Sequence, residues 1–252
     1  MLARVARPET GSWVASQGEV RYSAPPGQLF CLDEWLDSMR TRLIVGVSGG
    51  SGAGKHLVIH DYLLPALGDS ARVIEHDWYY YEFEHLYRMQ GVHSRADINY
   101  DRPDAYENSL LIEHLKRLSA GEAVDIHRYQ KGVGLREIEP LRVEPREVII
   151  LDGMMLYAVP ELVAQVQLRA YVHAGDQVRL RRRVRRDMAF STVDESVIRF
   201  QRDVLPAHRR YVEPSAAHAS YIVLNSRDGC APEGIEELIA GIRAALQRSE
   251  ER

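Results

Sequence analysis

The stretch GVSGGSGAGKHLVIH (46–60) decides how this chain folds. Its glycines run from Gly49 to Gly54 and into Lys55 in the pattern G-x-x-x-x-G-K, directly after the apolar run LIVGV (43–47). A buried strand, a Gly-rich turn and a helix in that order make a cradle for phosphate. Gly49, Gly50, Ser51, Gly52, Ala53 and Gly54 can turn successive backbone N–H groups toward one anion. The helix N-terminus adds partial positive charge, and Lys55 carries an ammonium to the outer phosphates. One position breaks the pattern. His56 stands where such loops carry the hydroxyl residue that meets Mg²⁺.

Outward from the loop, apolar runs alternate with helical periodicity. Strands are predicted at LIVGV (43–47), ARVIEHD (71–77), EVIILDG (147–153), LRAYVH (168–173) and YIVLN (221–225). Helices are predicted from near Lys55 and over 109–121, 176–190, 194–211 and 235–249. That alternation predicts an α/β domain, a parallel sheet of about five strands flanked by helices. It occupies 43–252, after an N-terminal extension over 1–42. In the extension, the Gly/Ser/Pro-rich segment 11–27 reads as a loose arm or short strands. Residues 28–40 place Leu29, Leu32, Trp35, Leu36 and Met39 at helical spacing and predict an amphipathic helix.

The net charge of -4 gives no basis for nucleic acid as a main partner. No apolar stretch reaches the roughly 18 residues that a membrane helix needs. Cys31 and Cys230 lie far apart and in no metal spacing, and read as reduced thiols. The expectation is a soluble, cytoplasmic protein with no membrane partner.

Several blocks in one order carry a resemblance. Besides the loop they are EHDWYYYEFEHL (75–86), NYDRPDAYENSLLIEHLKRLSAGEAVDIHRY (99–129), VEPREVIILDG (143–153), RRRVRRD (181–187) and QRDVLPAHRRYVEPSAAHASYIV (201–223). From about Leu43 to Asp228 the chain resembles the uridine kinase (uridine–cytidine kinase) family, relatives of phosphoribulokinases and pantothenate kinases. The resemblance implies a P-loop NTPase fold with a helical lid, ATP or GTP as donor with Mg²⁺, and phosphorylation of a nucleoside 5′-hydroxyl. It also implies a homotetramer.

Asp77 ends the second predicted strand beside the loop, where ligands gather in a parallel sheet. It falls on the family's catalytic aspartate, a general base working beside Lys55. Asp152, where the family usually carries glutamate, is the expected Mg²⁺ carboxylate. Asp101 matches the carboxylate for the sugar hydroxyls, Tyr129 an aromatic against the base, Arg183 and Gln201 polar contacts to the nucleoside, and Tyr80 a pocket wall. On the donor side the resemblance implies the loop residues through His56, together with Arg186 from the arginine-rich helix and Asp228 near the adenine. The other arginines of that helix read as a solvated face.

The chain departs from the family at four points. His56 replaces the loop hydroxyl, and imidazole suits Mg²⁺ poorly. Ser191 and Val193 occupy the positions of a pair of lid arginines, leaving Arg186 and Lys131 to compensate. Lys131 and Gly134 stand where the family reads the pyrimidine. Asp152 is one methylene shorter than glutamate. These changes point to a ribose-like acceptor that need not be uridine or cytidine. They also keep two alternatives in view: a nucleotide- or nucleoside-binding protein without turnover, and a kinase of a different small-molecule alcohol.

Overall fold

The computed structural model describes residues 12–16, 19–24, 28–31, 42–94, 97–189 and 191–250. By internal contacts the chain divides into two units, Met1–Arg40 and Thr41–Arg252. In the first, β1 (Ser12–Ser16), β2 (Glu19–Ala24) and β3 (Gln28–Cys31) form an antiparallel sheet in that order. The helix expected over 28–40 is therefore corrected at its start. Leu29 pairs with Ser23 and Phe30 with Tyr22, so local cross-strand pairing prevails over helical spacing in a stretch too short for periodicity to decide. The remainder of that predicted helix lies outside the described residues.

The second unit opens with β4 (Leu43–Ser48), followed after the Gly-rich turn by a helical run over 55–67 (α1) and by β5 (Ala71–Glu75). Then come α2 (Phe83–Gln90) and α3 (Asn108–Ser119). Four short strands follow: β6 (Val124–Ile126), β7 (Tyr129–Gln130), β8 (Leu135–Arg136) and β9 (Leu141–Val143). β10 (Val148–Asp152), α4 (Pro160–Val163), β11 (Leu168–His173), α5 (Asp176–Asp187), a helical run over 193–212 (α6), β12 (Tyr221–Leu224) and α7 (Ile235–Glu250) complete it.

β12, β11, β4, β10 and β5 lie side by side in that order, all parallel, which is the predicted five-stranded sheet. Period-two alternation gives the sheet two apolar faces. Ile44, Ile149 and Leu151 pack with Leu111, Leu115 and Leu118 of α3 on one side. Val45, Val47, Val148 and Ile150 pack with Val58, Ile59 and Leu63 of α1 and with Leu238 and Ile242 of α7 on the other. With both faces covered, the C-terminal edge is where side chains are free to meet a ligand. In register, Asp152 lies between Val47 of β4 and Glu75 of β5. No helix among the described residues is long and apolar enough to cross a membrane.

Candidate active site

The loop closes tightly. Gly49 has φ +144° and Gly54 φ +95°; a Cβ on the first would overlap the Val172 carbonyl oxygen, and one on the second would overlap the Asn225 amide. Lys55 Nζ donates to the Gly49 carbonyl at 3.1 Å, which curls the lysine back along its own loop. His56 is exposed, and its ring stacks on that of His60 one turn on, with centroids 4.0 Å apart. Burial and then the neighbouring His56 hold the His60 imidazole below its usual range.

β5 ends at Glu75, short of the predicted boundary, and His76–Tyr79 makes a single tight turn. That turn buries His76 and brings Asp77 to the edge of the sheet. The His76 Nε2 donates to Asn108 Oδ1 at 2.9 Å, while its ring stacks on Tyr106 with centroids 3.8 Å apart. The Tyr106 hydroxyl lies 3.4 Å from Asp77 Oδ1 and 2.5 Å from the Tyr80 hydroxyl. Lys131 Nζ pairs with the other carboxylate oxygen of Asp77. Burial opposes ionisation of Asp77, but Lys131, by hydrogen bond and charge, and Lys55 outweigh it. The carboxyl is held below its ordinary value.

The other carboxyls around it are shifted upward. Burial raises Asp152, with Lys55 opposing and Asp77 reinforcing. Burial raises Glu75 too, helped by Asp152 and Asp77. Asp101 is raised by burial, with Arg183 pulling the other way and Asp203 and Asp77 adding repulsion. Four carboxyls thus share one region with Lys55 and Lys131, and only Asp77 is held anionic with ease. One oxygen of Asp152, Oδ1, is buried and has no hydrogen-bond partner.

Tyr80, Tyr100 and Tyr129 form an aromatic wall beside Asp77. The Tyr80 ring lies 5.4 Å from those of Tyr100 and Tyr129, and the Tyr129 hydroxyl donates to that of Tyr100 at 3.1 Å. Tyr80 and Tyr129 are thus neighbours in one aromatic cluster, and Asp101 lies near enough to Asp77 for their charges to repel.

Arginines from α5 lock the loop from above. Arg179 is fully buried, paired with Asp176 at 2.7 Å and 3.5 Å from the Ser51 carbonyl. This corrects its reading as part of a solvated face; the phosphate loop itself supplies the carbonyl that turns it inward. Arg182 reaches the Ala53 carbonyl at 3.2 Å and the Asn225 carbonyl at 2.9 Å, and pairs with Asp228 at 2.7 Å. Asp228 thus reaches the loop through Arg182. Arg183 donates to the Ser51 hydroxyl at 3.0 Å. Arg186 is exposed at the far end, paired with Asp187, and Gln201 is exposed on α6. Ser191 and Thr192 serve the start of α6. Thr192 accepts from the Glu195 amide, and the Glu195 carboxylate accepts from the Thr192 amide and the Ser191 hydroxyl.

Tyr106, Arg136 and Asn225 were not singled out by sequence. Arg136 ties the β7–β8 hairpin to the Tyr80 carbonyl at 3.2 Å and to Glu107 at 2.7 Å. An arginine before an acidic residue in a short polar stretch carries no periodic signal that would have marked it.

Residues 44–229 match the Phosphoribulokinase / Uridine kinase family. The chain is 35% identical over 207 residues to a uridine kinase of Chloroflexus aurantiacus, covering 81% of this chain and 96% of that one. It is 33% identical over 200 residues to a uridine kinase of Oceanobacillus iheyensis, covering 79% and 90%. Among solved structures its fold is similar to a possible uridine kinase from Bacillus stearothermophilus (TM-score 0.52, 16% identity, 72% and 88% covered). It is also similar to phosphoribulokinase from Rhodobacter spheroides (TM-score 0.53, 15% identity, 73% and 70% covered).

Proposed function

The chain belongs to the phosphoribulokinase/uridine kinase family, and from that premise we propose that it moves the terminal phosphoryl group of ATP or GTP to the 5′-hydroxyl of a nucleoside or related ribose-containing acceptor. The observation that carries the proposal is Asp77, a carboxylate at the sheet edge held in its anionic form by Lys131 and Lys55, with the Tyr106 hydroxyl against one of its oxygens. In the transfer the acceptor oxygen bonds to phosphorus, the bond from phosphorus to the bridging oxygen breaks, and a nucleoside diphosphate leaves. Asp77 orients the acceptor hydroxyl and takes its proton. Lys55 and the loop amides hold the donor phosphates. Asp101, half-buried and with its carboxyl raised, offers a partner for the sugar hydroxyls.

Mg²⁺ favours oxygen ligands and commonly binds through one or two carboxylates, waters and substrate phosphates. The buried, unpartnered oxygen of Asp152 fits that pattern. Among the described residues no group of three or more His, Cys, Asp or Glu is set to hold an ion, so an ion here would be shared with the phosphates. Asp152 would hold it, and it would offset phosphate charge.

His56 favours a second reading, a nucleotide-binding protein without turnover, because an exposed imidazole stacked on His60 replaces the loop hydroxyl. An acceptor panel of nucleosides and ribose derivatives, run with MgATP and MgGTP, separates the two. Acceptor-dependent diphosphate release that disappears in Asp77→Asn supports the kinase; triphosphate binding with no release on any acceptor leaves the binding protein.

A further inference from the structure

The β7–β8 hairpin carries a cation to the Asp77 carboxylate. Its turn spans 131–134 and is fixed at both ends. The Gly134 amide donates to the Gln130 carbonyl at 2.7 Å, and the Phe83 amide donates to the Gly134 carbonyl at 2.8 Å. Arg136 anchors the strand behind it, as described above. From this rigid base Lys131 extends with 63% of its side chain exposed, its ammonium on Asp77 and 5.8 Å from the centre of the Tyr80 ring. Its charge acts on Asp77 and also on Asp101, Glu75 and Asp152. The inward arginines of α5 are committed elsewhere, Arg179 and Arg182 to loop carbonyls and Arg183 to Ser51 and Asp187. An exposed cation on a hydrogen-bonded turn therefore stands beside Asp77.

We propose that Lys131 is a further catalytic residue, which leaves Asp77 for the phosphoryl group in transfer when both substrates are bound. This rests on the kinase reading above. One movement then does two things. It frees the second oxygen of Asp77 for the acceptor hydroxyl, and it places an ammonium against the charge spread over the equatorial phosphoryl oxygens. The acceptor proton goes to Asp77, the acceptor oxygen bonds to phosphorus, and the bond to the diphosphate leaving group breaks. A contact made more closely to the planar phosphoryl group in flight than to the bound triphosphate accelerates the step rather than merely tightening substrate binding.

The test compares wild type, Lys131→Met and Lys131→Arg for binding of ADP with Mg²⁺, alone and with aluminium fluoride, which imitates a phosphoryl group in transfer; uridine is the acceptor probe. Lys131 is exposed on a turn, so its replacement leaves the core intact. The expected result is a loss on the order of tenfold or more in affinity for the fluoroaluminate complex in Lys131→Met, with ADP affinity within about twofold of wild type and partial recovery in Lys131→Arg. Equal affinity for the complex in wild type and Lys131→Met overturns the proposal, as does a matching loss for ADP alone. A wild type that forms the complex but phosphorylates no nucleoside removes the acceptor reading, while the Lys131 comparison still stands on the complex.

Discussion

Asp77 is held by two partners of different character, the buried hydroxyl of Tyr106 and the exposed ammonium of Lys131. Asp77→Asn keeps the shape and removes the charge. It is expected to lower turnover by about 10²–10⁴-fold, the usual range for a lost acid–base group, in single-turnover assays with unchanged triphosphate affinity. His56 makes a separate prediction. A hydroxyl at this position suits Mg²⁺ better than an exposed imidazole, so His56→Ser is expected to tighten Mg²⁺-dependent triphosphate binding by on the order of tenfold, read by titration with and without the ion. Both residues were visible in the sequence because a motif fixes their place relative to a strand end. Tyr106 was not. Its role depends on stacking on His76 and on the turn that brings residue 77 back beside residue 106, neither of which leaves a periodic trace.

The arginine-rich helix shows what an element adds to a residue list. Charge runs normally face water, yet the inward face of α5 carries Arg179, Arg182 and Arg183 against a loop whose carbonyls need donors. Spacing of three and four could have suggested an inner face, but composition could not say that the apolar core stops there and a polar loop begins. Arg182 is the joint between the loop, Asn225 and Asp228. Arg182→Met is expected to destabilise the protein by roughly 1–3 kcal/mol in urea unfolding and to weaken triphosphate binding, because it unpairs carbonyls on two elements at once. The lid stretch 189–193 was legible as lacking arginines. That Ser191 and Thr192 cap the next helix required the Glu195 geometry.

Across the whole molecule, the sheet was legible because its central strands β4, β10 and β11 are near-continuous buried apolar runs alternating with helices, the pattern of a parallel sheet covered on both faces. The strand at 28–31 was not, since four residues fit either period. The phosphate loop binds the sheet edge to the helices through buried groups, and one of them links the fold to pH. His208 of α6 is buried against Gly50, with Arg179, Asp176, His173 and Arg209 around it. Burial, then the Arg179 charge, hold its imidazole down to about 4, against about 6.5 in the unfolded chain. Between these values the unfolded state binds the proton that the folded state refuses, so stability is full above about pH 6.5 and falls as pH drops toward 4. Glu75, Asp101 and Asp152 act in the opposite sense, since their raised carboxyls take up protons more readily in the fold. The total slope is therefore a competition, and a variant isolates the histidine. His208→Gln carries no titrating ring, so between pH 7 and pH 4.5 it is expected to lose roughly 2–3 kcal/mol less stability than wild type in paired denaturant titrations. Equal losses in the two proteins would mean that His208 is already protonated in the fold, and that acid sensitivity arises elsewhere.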